Sequence, residues 1–154
     1  MSIRLEASAE IDAPADAVWD VLVDWTGQSR WIPLTTVRVS SDRNAGLGVR
    51  AEALSGVWLG PIPLGLLDRF IVTGWSPPTA DTAEVEILHL GPYFTGEGAF
   101  CLTGHGGRTT VSCIEVFTTP GGRPVEWLVR LALPALRAGL MSSLRALGAI
   151  AEAR

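Results

Sequence analysis

The sequence predicts an α+β fold: a seven-stranded antiparallel sheet wrapped around one long carboxy-terminal helix, with two short helices after the first strand. Three observations carry this. Residues 3–11 alternate apolar and polar at period two. Six further strand-like runs between residues 35 and 118 are separated by glycine- and proline-rich turns. From Pro124 onward the apolar period becomes helical. An antiparallel sheet must bury one face, and a long helix with an apolar stripe can cover it. At 154 residues the chain is expected to form one domain, 1–154, with enough length for a real core.

In the first strand Ile3, Leu5, Ala7, Ala9 and Ile11 share one face, and Arg4, Glu6, Ser8 and Glu10 the other. Asp12-Ala13-Pro14 then opens a helix, because proline suits a first helical turn. Val18, Val21, Leu22 and Trp25 give that helix a stripe at i, i+3, i+4 and i+7, and Gly27 is expected to end it. A second short helix is expected over Gln28–Trp31. The strands that follow are predicted at 35–41, 48–55, 68–75, 82–90, 94–103 and 109–118. Turns are predicted at Arg43–Gly46, Ser76-Pro77-Pro78, Gly91-Pro92 and Gly104–Gly107. In the last helix Leu133, Leu136, Leu140, Leu144, Leu147 and Ala151 form one stripe, and Pro134 is expected to kink or split it.

Composition excludes several functions. Charged residues make up 18% of the chain, against about 25% in typical globular proteins. All 12 basic residues are arginine, which removes Schiff-base chemistry and a phosphate-loop lysine. A net charge of −4 argues against a nucleic-acid or anionic-membrane partner. No apolar run reaches the ~20 residues of a transmembrane segment. Cys101 and Cys113 form no zinc or CxxC spacing and suggest a reducing, cytoplasmic compartment. No metal or cofactor motif is present, so neither is expected.

Along the chain, in order, stand Ile11-Asp12-Ala13-Pro14 with Val18-Trp19-Asp20-Val21-Leu22, Trp31-Ile32-Pro33, Gly46-Leu47-Gly48, Asp68 with Trp75-Ser76-Pro77-Pro78, Gly96-Glu97-Gly98, Gly107-Arg108-Thr109 with Glu115, and Ser143–Leu147. Together these stretches resemble the SRPBCC superfamily, whose helix-grip fold is shared by START domains, the birch pollen allergen, abscisic-acid receptors and polyketide cyclase/dehydratase-like proteins. The resemblance covers the whole chain and implies an internal cavity between helix and sheet for a hydrophobic molecule. Only some members catalyse a reaction.

Strand parity identifies candidate cavity residues, because residues two apart share a face. Val111, Cys113, Glu115 and Phe117 form one set, expected beside Phe94, Phe100 and Leu102. With Leu102 opposite Thr109, Glu115 faces Gly96 and Cys113 faces Gly98. Similar reasoning sets His89 opposite Phe94, Phe70 opposite Ile87 and Asp68 opposite His89. The inner face then carries Asp68, His89 and Glu115, with Glu115 a whole strand away from His89. A buried carboxylate needs a partner; Arg137 on the last helix is one candidate for Glu115 and a ligand is the other.

The uncharged stretch Gly56–Leu67 is read as an apolar loop. Trp58, Ile62, Leu64 and Leu66 are expected to close over the cavity. Packing against Trp127 and Leu131, or contact with a second copy in a homodimer, are the alternatives. Leu136 and Leu140 complete the expected ligand contacts from the helix. The leading functional expectation is a carrier or sensor of a lipid- or polyketide-like molecule. The alternatives are a cyclase/dehydratase-type enzyme using Asp68, His89 and Glu115, and a protein-interaction module using residues 56–67.

Overall fold

The computed structural model describes residues 2–154. The first strand, β1 (Ile3–Ile11), leads through Pro14 into α1 (Ala15–Leu22) and a 3-10 helix (Trp25–Arg30). Six strands follow: β2 (Thr35–Val39), β3 (Arg50–Leu59), β4 (Ile62–Thr79), β5 (Thr82–Pro92), β6 (Thr95–His105) and β7 (Arg108–Thr118). The long helix α2 (Gly122–Glu152) closes the chain. The strands form one antiparallel sheet in the order β1-β7-β6-β5-β4-β3-β2. This is the predicted α+β helix-grip architecture, in which the first and last strands pair and the sheet wraps around α2.

Local details depart from the sequence reading. The first helix stops at Leu22, and Trp25 instead begins the 3-10 helix, where the Asp24 carboxylate accepts from the Gly27 N–H at 3.2 Å. Helix α2 runs unbroken through Pro134. The expected loop at 56–67 is a β-hairpin: β3 and β4 pair from Arg50–Ile71 out to Leu59–Ile62, leaving only Gly60-Pro61 as the turn. Val57 and Leu59 on one strand and Ile62, Leu64 and Leu66 on the other recur at every second residue, which suits an extended ladder that also pairs the backbone groups an apolar loop would strand. Ser76-Pro77-Pro78 lies within β4, at a register shift before the true turn at Ala80-Asp81. A bulge tolerates prolines because the ladder is already interrupted there.

The registers of β5 with β6, of β6 with β7 and of Phe70 on β4 are offset by two residues from those expected, so those faces stay the same, whereas Asp68 is offset by three. Gly106 and Gly107 have φ of +60° and +79°, which makes a two-residue turn and pairs His105 with Arg108. Leu102 therefore faces Val111, Phe100 faces Cys113, and Glu115 faces Gly98. On β5, His89 pairs with Gly96 rather than Phe94, because residues 91–94 form a longer connection. On β4, Phe70 pairs with His89, Val72 with Ile87 and Asp68 with Pro92, with a bulge between Arg69 and Phe70.

The core fills one end of the concave face. Val18, Val21 and Leu22 of α1 and Leu144 and Leu147 of α2 are fully buried against Ile11, Val72, Val85, Leu102 and Val111. Trp19 meets Trp75 edge-on at 5.0 Å, and Trp25 lies 5.4 Å from Phe70. Helix α2 approaches β1 closely at Gly148, where a Cβ would come within 3.0 Å of Ile11. The Glu152 carboxylate accepts from the Asp12 N–H at 2.9 Å and pins the end of the helix to the β1–α1 turn. The amino-terminal half of α2 behaves differently: Trp127, Leu128 and Leu131 are each about 60% exposed. The same helix is thus a core element at one end and a free-standing wall at the other.

Candidate functional site

Along each central strand the inner face changes character in the same order. On β5, Ala83, Val85 and Ile87 lie in the core and His89 follows. On β7, Val111 and Cys113 lie in the core, then come Glu115 and Phe117. On β4, Val72 and Phe70 precede Asp68 and Leu66. Asp68, His89 and Glu115 therefore form a polar belt where the packed core ends. Beyond the belt lies a cavity of about 720 Å³, floored by these three residues. Leu5, Leu66, Phe94 and Phe117 line it from the sheet side, and Val125, Val129, Ala132, Leu136 and Leu140 from α2.

The belt is a continuous hydrogen-bonded line. His89 Nδ1 lies 2.9 and 3.0 Å from the two Asp68 oxygens, and Nε2 lies 2.7 Å from Glu115 Oε2. The sequence reading kept His89 and Glu115 apart by an intervening strand. The gap closes because the intervening strand carries glycine. A Cβ on Gly98 would stand 2.5 Å from Glu115 Oε2, so the Glu115 side chain occupies the space that a β6 side chain would fill. The predicted Asp68–His89 contact forms diagonally across the bulge rather than directly across the ladder.

A neutral imidazole has one N–H, whereas here both ring nitrogens face carboxylate oxygens. The geometry suits the imidazolium, donating to Asp68 and to Glu115 at once. Burial alone would lower the His89 pKa. The hydrogen bonds and charges of Asp68 and Glu115 outweigh burial and raise it from 6.5 to about 9. Burial pushes the Cys113 thiol upward, and the adjacent Glu115 charge adds to this. The thiol lies 3.7 Å from Glu115 Oε1. The three belt residues form a chain of hydrogen bonds rather than converging on one point. Among the described residues, no group of three or more His, Cys, Asp or Glu is arranged to hold a metal ion.

The other expected contacts divide clearly. Phe94, Phe117, Leu136 and Leu140 line the cavity, and Phe94 packs on the His89 ring at 4.9 Å. Phe70, Ile87 and Cys113 are core residues, and Phe100 packs against the core from its edge; they lie on the filled side of the belt. Trp58 sits on the opposite face, since its partner in the hairpin is Pro63 and parity turns both away from Leu66. Its ring lies under the Arg38 guanidinium at 3.9 Å. Ile62 and Leu64 share the face of Leu66 but stand farther out, 57% and 49% exposed, and do not line the cavity. Arg137 donates to the Glu6 carbonyl at 3.1 Å and leaves Glu115 to His89.

Thr119, Val125, Val129 and Ala132 line the cavity without having been expected there. The helical members carry on the Leu136–Leu140–Leu144 stripe toward the amino terminus at the same i, i+3 and i+4 steps. Small residues at 125, 129 and 132 hid that continuation. Thr119 Oγ1 is buried in the wall without a hydrogen-bond partner. Tyr93, Leu66 and Leu136, each between 43% and 48% exposed, mark the open mouth. No helix among the described residues is long and apolar enough to cross a membrane.

Comparison with known proteins places this architecture. The protein TTHA0849 from Thermus thermophilus superposes with a TM-score of 0.74 at 17% identity, covering 98% of each chain. The Zhui aromatase/cyclase from Streptomyces sp. R1128 gives 0.70 at 20% identity, over 100% of this chain and 96% of that one. Ara h 8.0201 gives 0.67 at 14% identity over the full length of both. These likenesses concern the fold. No curated protein matches the chain in sequence. The sequence model of the family described as "Polyketide cyclase / dehydrase and lipid transport" matches residues 2–152, so the chain belongs to that family within the SRPBCC helix-grip proteins.

Proposed function

We propose that the protein binds a hydrophobic small molecule between the sheet and the amino-terminal half of α2, as a carrier or sensor. The observation that carries this reading is the division of the concave face into a packed core and an apolar cavity of about 720 Å³, with three polar side chains gathered where they meet. Pockets for small molecules are mostly apolar, with a few convergent polar groups that orient the ligand. Ala132 tests the reading, because it lines the cavity and is exposed, so enlarging it fills space without disturbing the core. The Ala132→Trp variant is expected to bind apolar aromatic probes at least tenfold more weakly by calorimetry, at unchanged thermal stability. Unchanged binding would sink the cavity reading.

A second reading, a cyclase/dehydratase-type enzyme, is favoured by the 2.7 Å contact between His89 and Glu115. That contact joins two residues that strand parity alone holds a whole strand apart. With both His89 nitrogens donating to carboxylates, the group that meets a substrate in this reading is Glu115, 17% exposed, which takes the Nε2 proton from His89 and passes it on as the general acid. Native mass spectrometry followed by extraction separates the two. A carrier returns its ligand unchanged, whereas an enzyme yields a dehydrated product that His89→Gln fails to form.

A further inference from the structure

From the polar end of the cavity we infer the chemical class of the ligand: an apolar molecule whose buried end carries a hydrogen-bond donor, an alcohol, phenol or ammonium group, and not a carboxylate. This rests on the binding reading above and adds to it. Both His89 nitrogens are occupied by carboxylate oxygens, so the imidazole offers a ligand no free N–H. What remains at the cavity floor is carboxylate oxygen from Asp68 and Glu115, each 17% exposed, and ionised carboxylates only accept.

The charge balance points the same way. Two carboxylates against one imidazolium leave a net negative floor, and no arginine lines the cavity. The chain contains no lysine that could supply a cation instead. Of the neutral donors in the wall, the Ser55 hydroxyl faces Thr35 Oγ1 at 3.0 Å. The Cys113 thiol points at Glu115, and Tyr93 stands at the mouth, 48% exposed. Thr119 Oγ1 is the remaining buried hydroxyl, uncharged and on the β7–α2 connection. A buried anion would therefore meet like charge with no counter-ion, which is costly in a low-dielectric site.

A matched naphthalene series tests this at pH 7, by calorimetry and ligand-observed NMR. The four compounds are 2-naphthylmethylammonium, 2-naphthol, 2-methoxynaphthalene and 2-naphthoate. The first two are expected to bind at least tenfold tighter than the methyl ether, since each can donate a hydrogen bond to a charged acceptor and the ether cannot. The naphthoate is expected to bind most weakly. In the double variant Asp68→Asn/Glu115→Gln, the advantage of the ammonium over the ether should fall to within threefold.

Equal affinity of the four compounds for the wild-type protein, or tightest binding by the naphthoate, overturns the donor assignment while leaving the cavity reading standing. If none of the four binds, or if Ala132→Trp leaves their affinities unchanged, the cavity reading itself fails, and the assignment with it.

Discussion

The imidazolium at the cavity floor makes stability depend on pH in a direction opposite to that of a carboxylate-stabilised protein. Its folded pKa is about 9 against 6.5 for an unperturbed histidine. A group whose folded pKa is raised binds its proton more tightly in the folded state. The contribution is fully present below 6.5 and is lost as pH rises through 9. Two and a half pKa units at 1.36 kcal/mol each give about 3 kcal/mol, most of it lost between pH 6 and pH 9. His89 is only 6% exposed, so solvent screening reduces this little. The assay is urea unfolding at intervals over that range, set against the triple variant D68N/H89Q/E115Q. The wild-type protein should lose about 3 kcal/mol relative to the variant across the range. The chain has only two histidines, and His105 is exposed in the β6–β7 turn. Imidazole nitrogen NMR can therefore follow His89 directly. A His89 midpoint at or below 6.5, or parallel stability profiles, would refute the doubly bonded imidazolium.

Four further outcomes follow from the same geometry. Gly98→Ala should push Glu115 off His89, lower the His89 midpoint toward 6.5, and cost about 1–3 kcal/mol by overpacking; an unshifted midpoint would show that Glu115 does not need the gap. Leu147→Ala, at a fully buried position, should cost about 2–5 kcal/mol, whereas Leu136→Ala, on the same stripe but 43% exposed at the cavity, should cost no more than about 1.5 kcal/mol; comparable losses would contradict the two-part account of α2. Alkylation of the native protein, read by intact mass, should modify Cys101 slowly and leave Cys113 untouched. Cys113 is fully buried with its thiol pKa raised, while Cys101 is partly exposed and is raised by burial and by Glu84 and Glu86; rapid double labelling would contradict this. Ile62→Ser with Leu64→Ser should leave stability within about 0.5 kcal/mol per site. If the hairpin tip holds two copies together, the double variant should also shift a concentration-dependent mass toward the monomer; a wild-type mass that stays monomeric at every concentration would remove the homodimer reading.

Much of this protein could be read from alternation and period alone. The faces of β1, β4, β5 and β7 followed from side-chain parity, which is a local property of an extended chain and survives a register error of two residues. That is why parity places Asp68, His89 and Glu115 on one face although the cross-strand partner it suggests for each differs from the one in the structure. The apolar stripe of α2 was legible for the same reason, since helical period is local. Tertiary structure decided what parity cannot carry. Turn geometry at Gly106-Gly107 and the bulge at Arg69/Phe70 set the registers. The missing side chain at Gly98 let Glu115 reach His89 across a strand. The exposure of Leu136, on the same stripe as the fully buried Leu144 and Leu147, revealed where α2 stops packing and begins to wall a cavity. Those outcomes depend on distances between segments far apart in the chain. The amino-acid order therefore determined which side chains face inward, and only their three-dimensional spacing decided which became core, which became a hydrogen-bonded belt, and which were left open to a ligand.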